Sequence, residues 1–105
     1  MPTIVEEENQ ALPQRFALAQ NFPNPFNPTT TLSYSLPRVG EAELVIYNLM
    51  GQKVATLVHG VQEAGPQVVQ WNGRDDQGGE LASGVYLYRL QVGTQVETRK
   101  LLLLR

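Results

Sequence analysis

The chain has 105 residues, carries ten acidic and eight basic side chains for a net charge of −2, and contains no cysteine. This length suits one domain that can bury a modest core without covalent cross-links. The absence of cysteine excludes disulfides, thiolate metal sites and a cysteine nucleophile, and the charge balance gives no electrostatic basis for binding nucleic acid.

The first twenty residues have the composition of a linker. Residues 6–10 are all charged or amide side chains, and Pro13 blocks a long helix. The only regular element that the sequence predicts there is a short helix over Gln14–Ala19. The acidic start Met1–Glu8 lacks the apolar stretch of a secretory signal peptide. We therefore interpret residues 1–20 as a linker or a segment introduced by cloning, and place any signal peptide of a longer parent protein elsewhere.

The segment Asn21–Pro28 is dominated by proline, with three prolines in its last six residues. Proline fixes its own φ and holds the preceding residue in an extended conformation. The composition predicts a stiff, extended and irregular segment that Phe22 and Phe26 pin onto a sheet.

From residue 30 onwards the pattern is that of short strands. Apolar residues alternate with polar ones in residues 31–36, as in a half-buried strand. Ala42, Leu44 and Ile46 alternate along a second strand, with Val45 and Tyr47 on its other face. Gly93 and Thr94 fit the two-residue loop of a hairpin with a type II′ turn. Further strands are predicted over residues 53–58, 67–71, 84–92 and 95–104, with a turn over 48–51, a loop over 60–66, a turn over 72–79 and a short edge piece at 81–82.

Six or seven strands at intervals of about ten residues, without a long helix, indicate an all-β sandwich. Antiparallel Greek-key pairing is the expected topology. The four consecutive leucines at 101–104 are far short of the roughly 20 apolar residues of a membrane-spanning helix.

Three stretches in this order and spacing resemble one family. The first runs from Asn21 to Thr31, the second from Val45 to Val54, and the third combines Trp71–Asp75, Leu81–Leu90 and Lys100–Leu101. Together they resemble the type A C-terminal sorting domain of the type IX secretion system, the Por secretion system family. A similar pattern around Trp71–Tyr88 occurs in the immunoglobulin-like domain of flagellar hook-capping proteins.

The resemblance implies an immunoglobulin-like antiparallel β-sandwich of about seven strands over residues 21–105. The sequence has no glycine-rich phosphate loop, paired catalytic carboxylates or metal-ligand cluster, so we expect no catalytic role, cofactor or metal. Such domains direct an N-terminal cargo across the outer membrane of Bacteroidota-type bacteria through the type IX translocon. A sortase-like protease usually removes them, here between residues 6 and 21. The implied location is the periplasm in transit, then the cell surface or the medium.

The resemblance also implies which residues carry the signal. The motif at the start of the domain consists of Asn21, Pro23, Asn24, Pro25, Phe26, Asn27 and Pro28. The residues expected to contact the translocon are Gly84, Val85, Tyr86, Leu87, Tyr88, Arg89, Leu90, Lys100, Leu101, Leu102 and Arg105.

Several of these residues have a second interpretation. Tyr86 and Tyr88 form either a receptor-facing stripe or, as we favour, core packing against Trp71. Lys100 and Arg105 are either a basic handle for an acidic groove or charges that discourage aggregation of an exposed strand. Deleting residues 100–105 is expected to abolish export while leaving much of the sandwich folded.

The sequence leaves two alternative functions open. Trp71 as a sugar platform gives the alternative of a carbohydrate-binding module on a glycoside hydrolase. The hook-capping pattern gives a structural immunoglobulin-like domain.

Asp75, Asp76 and Glu80 lack the ligand spacing of an EF-hand and are interpreted as an ordinary turn. His59 is expected on the surface of a loop, without a nucleophile beside it.

Overall fold

The computed structural model describes residues 15–105, and within this range every regular element is a β-strand. None of the described residues forms a helix long and apolar enough to span a membrane. The strands are β1 Ala17–Leu18, β2 Thr30–Leu36, β3 Gly40–Tyr47, β4 Lys53–Gln62, β5 Gly65–Trp71, β6 Gly84–Val92 and β7 Gln95–Leu103.

The strands form two sheets with different strand orders. The three-stranded sheet has the order β1-β2-β5 and the four-stranded sheet has the order β4-β3-β6-β7. Every pairing between strands is antiparallel. The chain changes sheet between β2 and β3, between β4 and β5, and between β5 and β6. The prediction of an all-β, immunoglobulin-like antiparallel sandwich of about seven strands is confirmed.

The core lies between the two sheets and follows the two-residue period of the strands. β2 buries every second residue, and β3 and β6 do the same with their inward-facing residues. The core residues of these three strands are Leu32, Tyr34, Leu36, Ala42, Leu44, Ile46, Tyr86, Tyr88 and Leu90. Val45 is also buried, but it lies on the opposite face of β3, where it pairs with Arg89. The alternation read from the sequence therefore assigns the core faces correctly.

The hairpin of β6 and β7 turns as predicted. Gly93 has a φ of 61°, whereas no described residue other than glycine has a positive φ. A positive φ at the first loop position alone is the mark of a type II′ turn, because type I′ requires it at both positions. At the start of β6, Gly84 has a φ of 153° and open space at its Cβ position, so it serves the backbone conformation and not a close approach.

Four local predictions are wrong. Residues 15–19 form no helix, because β1 pairs with β2 and the Ala19 amide donates to the Ser33 carbonyl at 2.9 Å. The loop predicted over residues 60–66 shrinks to two residues, since β4 continues in register with β3 as far as Gln62. His59 is exposed as expected but lies in β4. The predicted edge piece at 81–82 is not a strand, although the Leu81 amide donates to the Gly73 carbonyl.

The two phenylalanines of the proline-rich segment have opposite environments. Phe26 is 1% exposed and lies in the core, whereas Phe22 is 78% exposed. Phe26 bridges to Leu103 in parallel, with its amide donating to the Leu102 carbonyl at 3.0 Å and its carbonyl accepting from the Leu104 amide at 3.0 Å. Only the Phe26 side chain therefore anchors this segment in the core, whereas Phe22 is held by its backbone, which exchanges two hydrogen bonds with Thr31.

This difference gives a matched pair of variants for a stability measurement. Phe26→Ala should lower the free energy of unfolding by about 3–5 kcal/mol, because it leaves a cavity in the core. Phe22→Ala should change it by less than about 0.5 kcal/mol, because the ring is solvent-exposed. Urea denaturation followed by tryptophan fluorescence measures both, and equal losses would show that the segment is not anchored through Phe26.

Candidate functional site

The segment Gln20–Phe26, which we call the strap, lies along the outer edge of β7. The side chain of Gln20 donates to the Lys100 carbonyl at 2.8 Å, and the amide of Leu102 donates to Asn24 Oδ1 at 2.9 Å. Together with the two backbone bonds of Phe26, these contacts occupy the outward-facing polar groups at the end of β7. The proline-rich motif at the start of the domain thus covers the outer edge of the last part of β7.

A buried polar network fixes the strap in place. The Tyr88 hydroxyl donates to the Ala19 carbonyl at 2.7 Å and accepts from the Asn21 amide at 2.9 Å. The Asn21 side chain donates to Thr30 Oγ1 at 2.9 Å, and that hydroxyl donates to the Pro23 carbonyl at 2.8 Å. Within residues 15–105, Asn21 and Thr30 are the buried polar residues, and each is fully bonded.

The predicted recognition residues of β6 and β7 separate into two sets by strand alternation. Four of them, Tyr86, Tyr88, Leu90 and Leu101, are buried and face the core. Five others lie on the opposite face, where Lys100 pairs across from Leu87, and Leu102 pairs across from Val85. These five residues, Val85, Leu87, Arg89, Lys100 and Leu102, together with Tyr47 of β3, are called the outer-face patch below.

The outer-face patch combines apolar surface with two cations. The Arg89 guanidinium carbon lies 5.3 Å from the centroid of the Tyr47 ring, within the range of a cation–π contact. Val85 is exposed, and the other apolar members are half-buried. Tyr47 was placed on this face by its alternation in β3, but its position beside Arg89 depends on the pairing of β3 with β6, which no local pattern reveals.

The tyrosines of β6 pack as core residues, so the receptor-facing stripe is wrong for their side chains. The rings of Trp71 and Tyr86 meet edge to face with centroids 6.1 Å apart, and the Phe26 ring lies 5.6 Å from Trp71. Trp71 is 3% exposed, and its indole N–H donates to the Arg74 carbonyl at 2.9 Å. The packing prediction is confirmed, and Trp71 offers no platform for a sugar.

Arg105 is held by the loop between β5 and β6. Its guanidinium donates to the Leu81 carbonyl at 2.6 Å and to the Gly73 carbonyl, and it lies 3.8 Å from Glu80. Its amide donates to Ser83 Oγ at 2.7 Å. Lys100, by contrast, is exposed on the outer face. Of the two cations predicted as a basic handle, only Lys100 presents its charge on that face.

The acidic residues of the same loop are used in turn formation. Asp75 Oδ1 accepts from the amides of Gln77 and Gly79 at 3.0 and 2.8 Å. Asp76 Oδ1 accepts from the Thr56 amide at 2.9 Å, which covers part of the free edge of β4. Within residues 15–105, no three histidine or acidic side chains are grouped as metal ligands. The loop has the contacts of an ordinary turn.

The two sheets, their pairing and the buried tryptophan define an immunoglobulin-like domain. Residues 26–95 match the family of the FlgD Ig-like domain, which covers more than half of the chain. The chain belongs to this family. No curated protein matches it.

Three solved structures, those of FlgD, PorZ and PorU, contain a region with a similar fold. FlgD from P. aeruginosa is 27% identical, with a TM-score of 0.56 over 70% of this chain. PorZ, described as an essential surface component of the type-IX secretion system of Porphyromonas gingivalis, is 20% identical with a TM-score of 0.57 over 82%. Dimeric latent PorU from Porphyromonas gingivalis is 19% identical with a TM-score of 0.67 over 88%. The likeness to PorZ and PorU shows the fold alone.

The matched region is a part of each of these longer proteins. This chain covers 58% of the FlgD chain, 11% of the PorZ chain and 9% of the PorU chain.

The buried tyrosines make the stability of the domain depend on pH in the alkaline range. Burial raises the pKa of Tyr34, Tyr86 and Tyr88, and for Tyr88 the Asn21 hydrogen bond and Arg99 oppose the increase. The unfolded chain therefore loses these protons first. The resulting stability is complete below the ordinary tyrosine pKa of about 10 and is lost as the pH rises through the raised pKa of the folded state.

Urea denaturation at a series of pH values tests this dependence. The free energy of unfolding should fall above about pH 10, and Tyr88→Phe should make the fall shallower because one fewer buried phenol ionises. An identical pH slope in the variant would contradict the assignment.

Proposed function

We propose that residues 21–105 form a non-catalytic targeting domain that directs an N-terminal cargo across the outer membrane through the type IX secretion system. The translocon recognises the outer-face patch. The observation that carries this proposal is that five of the predicted recognition residues share one face of the sheet, with apolar side chains beside two cations. The domain passes through the periplasm and then lies at the cell surface or in the medium.

The chemistry of the patch suits a protein partner. Apolar side chains in the middle of a surface supply burial on docking, and arginine and tyrosine are the residue types that dominate binding energy at interfaces. Arg89 and Lys100 favour an acidic surface opposite them, which also speeds the encounter. The occurrence of the same fold in PorZ, a component of the type-IX secretion system, is consistent with this setting.

The proposed function includes removal of the domain by a sortase-like protease. The predicted cleavage window, residues 6–21, extends into β1 and the strap. Leu18 pairs with Tyr34, and Asn21 is buried, so bonds after Ala17 are held within the fold. We place the scissile bond before Ala17, in a part of the window that includes residues outside the described range.

Charge reversal on the patch tests recognition without disturbing the core. A reporter carrying the Arg89→Glu and Lys100→Glu double variant should be exported at least about tenfold less than the wild type, because a loss of about 1.4 kcal/mol in binding has that effect. Export is measured as reporter in the medium or on the surface of a host with a working type IX system. A translocon-deficient strain sets the background.

The matched control is Val68→Glu, which places a charge on the outer face of the other sheet, where Val68 is 67% exposed. Undiminished export of the double variant, with both variants shown to be folded, would contradict recognition through the patch. Deletion of residues 100–105 is a poorer test than expected, because Leu101 and Leu103 are core residues and their loss would unfold the domain.

The second candidate is a structural domain of the hook-capping type, favoured by the family match and by the 27% identity to FlgD. It predicts periplasmic retention of the reporter in both host strains and open, head-to-tail oligomers of the parent protein.

A further inference from the structure

The outer edge of β7 is covered over only part of its length. β7 is the last strand of its sheet and pairs with β6 alone. Leu102 and Leu104 direct their amides outward to the strap, so alternation directs the backbone groups of Val96, Thr98 and Lys100 outward as well. Among residues 15–105, nothing covers the outward groups of Val96 and Thr98, which are both exposed.

The side chains at this open edge are self-complementary. In an antiparallel pairing of two copies centred on Thr98, Glu97 of each copy lies opposite Arg99 of the other, and the two threonines face each other. Opposite charges and threonine pairs stabilise such cross-strand positions. Glu97 Oε1 accepts from the Leu18 amide, and Arg99 Nε donates to the Leu18 carbonyl. The second carboxylate oxygen of Glu97 and the Nη groups of Arg99 therefore remain for the other copy.

Neighbouring registers lack this complementarity. Moving the twofold centre by one residue towards the N-terminus, which takes a relative slide of two residues, places it at Glu97 and sets two carboxylates opposite each other. The same move towards the C-terminus places it at Arg99 and sets two guanidinium groups opposite each other. Like charges in directly opposed positions are destabilising. The register centred on Thr98 is therefore the favoured one.

We propose that a second copy of this domain adds its β7 to the open edge, antiparallel and centred on Thr98. The two four-stranded sheets then form one continuous eight-stranded sheet across a twofold axis. The strap ends the contact at Leu102, and the Gly93-Thr94 turn of the other copy lies opposite that point. This proposal uses the edge of β7 and is independent of the export role assigned to its outer face.

The contact between the two copies is short. Five residues of each β7, Val96–Lys100, can pair, and an interface of this size falls in the weak class. We expect a reversible dimer whose population rises with protein concentration. The closed twofold arrangement uses the β7 edge of both copies, so assembly through this edge stops at two copies.

Thr98→Pro and Thr98→Ala are the matched variants. Proline removes the outward N–H of Thr98, which is not part of the β6 ladder, and prolines are tolerated on an edge strand whose N–H faces solvent. Because two hydrogen bonds across the axis are lost, the dimer dissociation constant should rise by about tenfold to a hundredfold. Thr98→Ala keeps the N–H and should retain the dimer to within a smaller factor.

Sedimentation velocity of the full chain over a wide concentration range measures the dissociation constants. Hydrogen exchange of the wild type is the second measurement, and it requires no variant. The amides of Val96, Thr98 and Lys100 should exchange more slowly as the concentration rises. A monomer at every concentration, oligomers larger than two, or protection that is independent of concentration and so comes from residues 1–14 of the same chain would each overturn the proposal.

Discussion

The hydroxyl of Tyr88 connects two parts of the molecule that are distant in sequence. It bonds the backbone on both sides of Gln20, at Ala19 and Asn21, from a strand that lies in the opposite sheet to β1. Because the site is buried, the loss of one partner would leave a polar group without water and without a hydrogen bond, which lowers the stability of the fold. The position of the strap, and through it the coverage of β7, depends on this hydroxyl and on the Asn21–Thr30 pair.

β6 performs two tasks with alternate residues. Its inward side chains complete the core with Trp71 and Leu101, and its outward side chains supply Val85, Leu87 and Arg89 to the patch. Since the same strand carries both sets, the geometry of the patch is as rigid as the core beneath it. A surface built on paired strands in this way is pre-organised, which lowers the entropy lost when a partner binds.

Strand positions, core faces and the type II′ turn could be predicted, because they follow from a two-residue period and from glycine at one turn position. The different environments of Phe22 and Phe26 could not, because both follow an extended proline-rich pattern and only the path of the strap separates them. Arg105 was assigned to the translocon from the family resemblance, and its bonds to Leu81 and Gly73 could not be predicted because they depend on a loop that returns from the other sheet. Five residues of the patch lie on the predicted hairpin of β6 and β7, but the position of Tyr47 beside them required the pairing of β3 with β6, which is a long-range property.

The strap has a mechanical consequence for whatever is tethered upstream of it. A pulling force applied at Arg15 acts first on the two-residue strand β1 and then on the strap, whose bonds to β7 lie one after another along the chain. They would therefore break in sequence and not together. Releasing residues 17–25 would add about 30 Å of extended chain before the load reached Phe26 in the core. This release removes β1 from its sheet, whereas the pairing of β2 with β5 and the four-stranded sheet remain. A tethered load can therefore move by the amount by which the extended segment exceeds the distance that it already spans in the fold.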